Sequence, residues 1–431
     1  MDEKPQVRKL IEIHPKIRAR FPALEADSLG RRRIYLNTGA GSHMVDTAAE
    51  AMRSVSRTLS PMPGANSPGE SATAQFQENV RALVADFLGA SDPTGISFHF
   101  SATNAFFNLA YGLRGRFHTG GNIVVTDLDH MSNISPWEAV GGKLCGCEIR
   151  RARVTEDGRL DIDHLLSLID DHTVLAASTM ASNGFGTVVP LRELCQDIKA
   201  KNPECLLCID AVHHALHGPI DVSDIGCDFL AFSGYKVFGP MLGVLWGKPE
   251  VLETCDFYRV ETNKAGLPRN LEQGMLPNAQ LAALEAALSY FLWIADEMGA
   301  GPETAANRSL RFRTAMEAIA EYEQDISRAV LDGFSRHDPS FFKAWGILDP
   351  EKVPERDPTF AFAVAAQESS ETKKRFWRNR SMQIGDGNHY SAAVFRHLAR
   401  EGVCRASFAH YDSIRTARVF LEALEEILNE A

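Results

Sequence analysis

The chain has 431 residues, 45% hydrophobic and 23% charged, with 45 Lys and Arg against 56 Asp and Glu for a net charge of −11. That length accommodates two domains, or one large core with a smaller lobe, and the acidic balance argues against nucleic acid or an anionic membrane as the main partner. No run of about eighteen or more apolar residues is long enough to span a bilayer, and the start, Met1-Asp-Glu-Lys-Pro5, carries no apolar signal core, so a cytoplasmic protein is expected.

Residues 1–30 are charged and helix-like, and Arg33-Ile-Tyr-Leu-Asn37 reads as extended. The turn Thr38-Gly-Ala-Gly41-Ser opens like a dinucleotide fingerprint but lacks its third glycine, so no nicotinamide site is expected. Helical apolar spacing runs over 48–59 and 72–88, divided by the Pro/Gly-rich segment 61–68. Short apolar runs then alternate with helical segments: 96–100, 123–127, 147–154, 174–178, 205–210, 229–233 and 243–246. Near-continuous apolar runs of about five residues, with helices between them, predict a largely parallel sheet covered on both faces. A helix over 281–294 closes this part. A second lobe from about residue 300 carries a strand at 359–365 and a final amphipathic helix at 414–428.

Eight cysteines in so long a chain do not form a disulfide scaffold. Cys205 and Cys208 lie in an apolar strand, Cys145 and Cys147 have no second pair at zinc-ribbon distance, and all four read as structural thiols. No metal site is expected in the chain.

Two residues at strand ends carry the chemistry. Asp210 ends the apolar strand Leu206-Leu-Cys-Ile-Asp210, and Lys236 closes Phe229-Leu-Ala-Phe-Ser-Gly-Tyr-Lys236. In sheets of this kind ligands bind at the carboxyl ends of the strands. A lysine amine beside a buried carboxylate is what a pyridoxal phosphate (PLP) enzyme needs: the lysine forms the Schiff base and the carboxylate pairs with the pyridinium nitrogen.

Around this pair stand Ser182-Asn-Gly-Phe-Gly-Thr187, Asp210-Ala-Val-His213, Ser233-Gly-Tyr-Lys-Val-Phe-Gly-Pro240 and Cys404-Arg-Ala-Ser-Phe-Ala-His410. Their order resembles the class V aminotransferase group of PLP enzymes, and within it group II cysteine desulfurases, selenocysteine lyase relatives and desulfurase-like proteins. The resemblance covers nearly the whole chain. It implies an α/β fold of the aspartate-aminotransferase type, with a large domain built on a mainly parallel seven-stranded sheet and a smaller α+β C-terminal domain. The expected division is an N-terminal segment 1–45 packing on the small domain, a PLP-binding domain 46–298 and a small domain 299–431. It also implies a homodimer with shared active sites and an amino-acid substrate.

The same resemblance assigns site residues. Thr103 and Asn104, at a strand-to-helix turn that offers backbone N–H groups, and Ser233 would contact the cofactor phosphate, with Tyr235 donating to it. His130 would stack on the pyridine ring. Asn183 would bond the phenolic oxygen or the substrate carboxylate, and His213 the phenolic oxygen. Asp210 is expected to be ionised beside the pyridinium charge. Arg405 would grip the substrate α-carboxylate through its planar fork, with Asn37, His389 and Tyr390 also on the substrate side. Lys236 would serve as Schiff-base residue and general acid/base.

Three departures from the family pattern bear on function. Where group II desulfurases carry the persulfide cysteine, this chain reads Gly385-Asp-Gly-Asn-His389-Tyr390, and a phenol cannot accept sulfur as a persulfide. The residue before the lysine is Tyr235 rather than histidine. The cross-subunit Gly-Thr-Pro-Asn stretch reads Gly274-Met-Leu-Pro-Asn278, which leaves Asn278 for that phosphate contact. The expected activity is therefore a lyase that removes the α-proton of a cysteine-like or other β-substituted amino acid and expels the β-substituent. The alternatives are an epimerase or aminotransferase, a desulfurase using a distant cysteine such as Cys255 or Cys404, or a catalytically retired fold that binds partners.

Overall fold

The computed structural model describes residues 5–262, 266–365, 367–397 and 401–430. Residues 263–265 of the segment 257–278, expected to shape substrate specificity, lie outside this range, as does the start of the chain before Pro5. Thirteen strands appear: β1 Ile34–Tyr35, β2 Ile96–His99, β3 Asn122–Thr126, β4 Glu148–Ala152, β5 Thr173–Thr179, β6 Leu206–Asp210, β7 Phe229–Ser233, β8 Gly243–Gly247, β9 Phe342–Trp345, β10 Thr359–Val364, β11 Met382–Gln383, β12 Gly385–Gly387 and β13 Val403–Ser407.

Seven of these strands, each on one of the seven apolar runs, build one sheet in the order β2-β8-β7-β6-β5-β3-β4. Strand β8 runs antiparallel to both neighbours, β2 and β7, and the remaining pairs are parallel. All residues of β3, β6 and β7 are buried, as continuous hydrophobicity on a doubly covered sheet requires. One face packs under the helices Pro68–Leu88 and Asn278–Glu297, where Phe87, Phe232, Phe238 and Phe291 form a chain of ring contacts at 5.7–6.0 Å. The other face carries Ala102–Gly112, with Phe106 and Leu109 fully buried.

The C-terminal part adds a four-stranded antiparallel sheet in the order β12-β13-β10-β9. The 27-residue helix Arg308–Phe334 and the final helix Ile414–Asn429 are further elements of this part. The final helix begins with a capping box, Ser413 accepting from the Thr416 N–H, which fixes its start where the amphipathic pattern begins. Strand β1 pairs in parallel with β11, so an N-terminal strand joins the C-terminal part.

Some elements have no counterpart in the sequence pattern. The segment Trp137–Leu144 is a π-helix. In it a Cβ on Gly141 would meet Ile123 Cδ1 at 2.2 Å, so the wide turn lies directly on β3. Strands β11 and β12 are too short to show alternation. Among the described residues no helix is long and apolar enough to cross a membrane. All eight cysteines are free.

A buried lysine, carboxylate and guanidinium around one cavity

Because β2, β3, β5, β6 and β7 point the same way, their carboxyl ends lie along one edge of the sheet. A cavity of about 1320 Å³ opens there, between that edge and β12–β13. Of the residues expected at the site, Asn37, Thr103, His130, Asn183, Asp210, His213, Ser233, Tyr235, Lys236, His389, Tyr390 and Arg405 all line it.

Two do not. Asn104 lies outside the lining, its backbone N–H taken by the Ser101 side chain that caps the helix. Asn278, expected to reach the phosphate of a second subunit, lies outside its own chain's cavity: its side chain accepts from Gln77 at 2.8 Å and donates to the Ser60 and Pro61 carbonyls.

Lys236 is 4% exposed, and its amine donates to the Gly39 carbonyl. Burial, reinforced by the charge of Arg405 and opposed by Asp210, pulls the amine down to about 7. Asp210 accepts from the Val212 N–H at 2.9 Å. Burial pushes its carboxyl up to about 6, against that hydrogen bond and the lysine charge. A carboxyl at about 6 is still mostly ionised at neutral pH, and a neighbouring ring cation would favour the charged form further. Behind it lies Asp129, bonded by Thr126 and Asn133 and pushed by burial up to about 8.

Arg405, on β13, is 2% exposed and donates to the Asn183 carbonyl at 2.7 Å, while its Nε has no partner. Burial brings it down to about 10. His130 accepts from the Ser132 N–H at Nδ1, which leaves Nε2 as the protonated ring nitrogen. Burial, with Lys236 and Arg405 nearby, pulls it down to about 4, so its ring is neutral at pH 7. Tyr390 sits at 5.4 Å from the His130 ring and is 72% exposed at the cavity mouth. Both His389 and Tyr390 hold positive φ, 51° and 59°, uncommon for residues with a side chain.

Asn183 differs from expectation in its engagement. Its Nδ2 donates to the His389 carbonyl at 2.7 Å and its Oδ1 accepts from Ser391 at 2.6 Å, so the amide anchors the 389–391 loop.

Two glycines whose part in the site the sequence does not reveal make it possible. A Cβ on Gly39 would meet Ser407 Oγ at 2.5 Å and Arg405 Cζ at 3.0 Å. A Cβ on Gly243 would meet the Ser101 backbone at 2.2 Å, so only glycine lets β8 pass beneath the Ser101 turn. Their signal is slight, because nothing along the chain says what atoms a glycine will face.

The donor set fits PLP. Buried polar atoms without a partner cluster here, namely both ring nitrogens of His213, Arg405 Nε and Asn37 Oδ1, and such atoms are costly unless a ligand takes them. The buried amine, the carboxyl and the Ser101–Thr103 helix start supply the remaining contacts such a group requires. No cysteine lines the cavity among the described residues. Cys404 donates to the Ser369 carbonyl and burial pushes it up to about 12, and Cys255 is likewise pushed up to about 11.

The family model for aminotransferase class-V matches residues 34–307. The chain is 28% identical over 431 residues to a cysteine desulfurase of Yersinia pseudotuberculosis, covering 96% of this chain and 97% of that one. It is also 28% identical over 415 residues to a cysteine desulfurase of Pectobacterium atrosepticum, covering 92% and 93%. Among solved structures, the apo cysteine desulfurase of Thermococcus onnurineus NA1 superposes with a TM-score of 0.83 at 22% identity, over 97% of this chain and 98% of that one. The cysteine desulfurase CsdA of Escherichia coli, in its S-sulfonic acid form, gives 0.79 at 24% identity over 96% and 98%.

Proposed function

The chain belongs to the class V aminotransferase family of PLP-dependent enzymes, and from that premise we propose that it is a lyase acting on a cysteine-like or other β-substituted α-amino acid. The reaction is α-proton removal and loss of the β-substituent to give an aminoacrylate, which water hydrolyses to pyruvate and ammonia. The observation that carries this reading is the cavity itself: Lys236, Asp210 and Arg405 converge on it, and Tyr390 rather than a thiol stands at its mouth. When bound, PLP supplies a Schiff-base linkage to an amine and a ring that withdraws electron density from the substrate Cα.

The residues then divide the work. Arg405 binds the α-carboxylate with its planar fork, and Asn37 flanks it. Lys236 takes the proton from Cα; an amine near 7 is matched to that task at neutral pH. Asp210 would hold the ring nitrogen and His213 the phenolic oxygen, and neutral His130 would stack on the ring. Ser233, Tyr235, Thr103 and the Ala102–Gly112 helix start would hold the phosphate. Tyr390 and His389 flank the departing β-substituent, and Tyr390 delivers its proton. A second copy of the chain is expected to complete the site, in keeping with the exposed Phe100, Met241 and Met275.

The test is product analysis with cysteine and other β-substituted amino acids. Pyruvate together with the released sulfide, thiol or other β-substituent supports the lyase. Deuterium entering Cα without elimination points to an epimerase, and a 2-oxo acid that keeps its β-substituent points to an aminotransferase. Sulfur retained on the protein would restore the desulfurase reading.

A further inference from the structure

Beside the cavity, His213, His217 and Asp357 each offer one ligand atom within 4.8 Å of the others. All three are buried, at 3%, 2% and 4% exposed. The histidines come from the turn after β6, and Asp357 from the segment leading into β10. Both ring nitrogens of His213 lack a partner. A contact to the cofactor's phenolic oxygen would use one of them and leave the other buried without a partner.

We propose that His213, His217 and Asp357 bind one divalent transition-metal ion, with Zn²⁺ the best match. Two imidazoles and one carboxylate with an open fourth position are a ligand set that zinc takes.

The groups behind the ligands are arranged as metal ligands require. Glu323 Oε2 lies 2.8 Å from His217 Nδ1, which orients the ring and leaves Nε2 for the ion. His214 Nδ1 lies 3.0 and 3.2 Å from the two Asp357 oxygens, each of which keeps a further lone pair. A histidine ligand backed by a carboxylate and a carboxylate ligand that is itself hydrogen-bonded are the usual outer partners of a metal centre. The N–H groups of neighbouring Arg356 go to the carbonyls of Ile347, Phe185, Thr359 and Asp357 and leave the Asp357 carboxylate to the histidines. With the ion on one nitrogen, the other nitrogen of His213 becomes a fixed N–H donor.

The site stands independently of the lyase reading, and its test uses no substrate. The untagged full-length protein, as purified with its cofactor, is stripped with chelator and titrated with Co²⁺ and Zn²⁺ by calorimetry and elemental analysis. The expected result is one equivalent per chain, with Co²⁺ bands that Zn²⁺ displaces. Asp357→Asn and His217→Ala should each weaken binding at least a hundredfold, and Glu323→Gln by about ten- to a hundredfold. Circular dichroism checks folding, and Asp357→Asn, nearly isosteric, carries the test should His217→Ala not fold. No stoichiometric binding by the wild-type protein, or binding unchanged in the folded variants, overturns the proposal and leaves the lyase reading intact.

Discussion

Asn183 donates to the His389 carbonyl at 2.7 Å, and this bond ties the loop after β5 to the loop after β12 across 206 residues of sequence. Ser391 closes the tie by donating to Asn183 Oδ1 at 2.6 Å. The same loop holds Tyr390 against the ring of His130. The amide therefore sets where the cavity mouth lies.

Asn183→Ala removes both bonds and leaves the His389 carbonyl unpaired, which costs about 1–3 kcal/mol. Thermal unfolding should show a lower midpoint, and turnover should fall with a raised KM because Tyr390 loses its fixed position. An unchanged KM would detach the loop from substrate binding.

Lys236 makes a pH prediction with a definite sign. Its folded value of about 7 lies below the ordinary lysine value of 10.5, so the unfolded chain binds more protons between those limits. Stability from this group is present above about 10.5 and is lost as pH falls toward 7. Lys236→Met lacks that penalty, so its advantage in unfolding midpoint over the wild-type apoprotein should be largest below about pH 7 and shrink toward about pH 10. The variant should also lose all turnover.

Gly39→Ala places a methyl group where Ser407 Oγ and Arg405 Cζ stand at 2.5 and 3.0 Å. The guanidinium must move, and KM for the amino acid should rise at least tenfold while the melting point changes little. Steady-state kinetics with the cofactor saturating checks it.

Tyr390→Phe keeps the ring beside His130 and removes only the hydroxyl. If that hydroxyl protonates the departing group, turnover should fall about ten- to a hundredfold for poor leaving groups and little for good ones. A uniform loss across substrates would assign Tyr390 to packing.

Arg81 and Glu272, 3% and 7% exposed, meet through two bonds of 2.7 and 3.0 Å, and Glu272 also accepts from the Phe98 N–H. Arg81→Met strands a buried carboxylate, at a cost of about 3–5 kcal/mol. Denaturant unfolding should report it, with weaker binding of the cofactor because Phe98 lies on the strand that leads to Ser101.

The strand ends are legible in the sequence. Continuous apolar runs closing in Asp210 and in Ser233-Gly-Tyr-Lys236 place two groups at one sheet edge, because strand period and parallel order are encoded locally. The final helix is legible for the same reason, its 3.6-residue stripe starting beside a capping serine. The short strands β11 and β12 are not, since two or three residues carry no alternation.

What the sequence by itself determined is the layered α/β order and the chemistry of the strand-end pair, both written in local spacing. Tertiary structure alone decided the rest. Asn183 is spent on the 389–391 loop, Asn104 and Asn278 lie outside the cavity lining, and His217 meets Glu323 from 106 residues away. The physical reason is that a hydrogen bond or a metal ligand is satisfied by whatever packing brings within about 3 Å, and no periodicity along the chain names that partner.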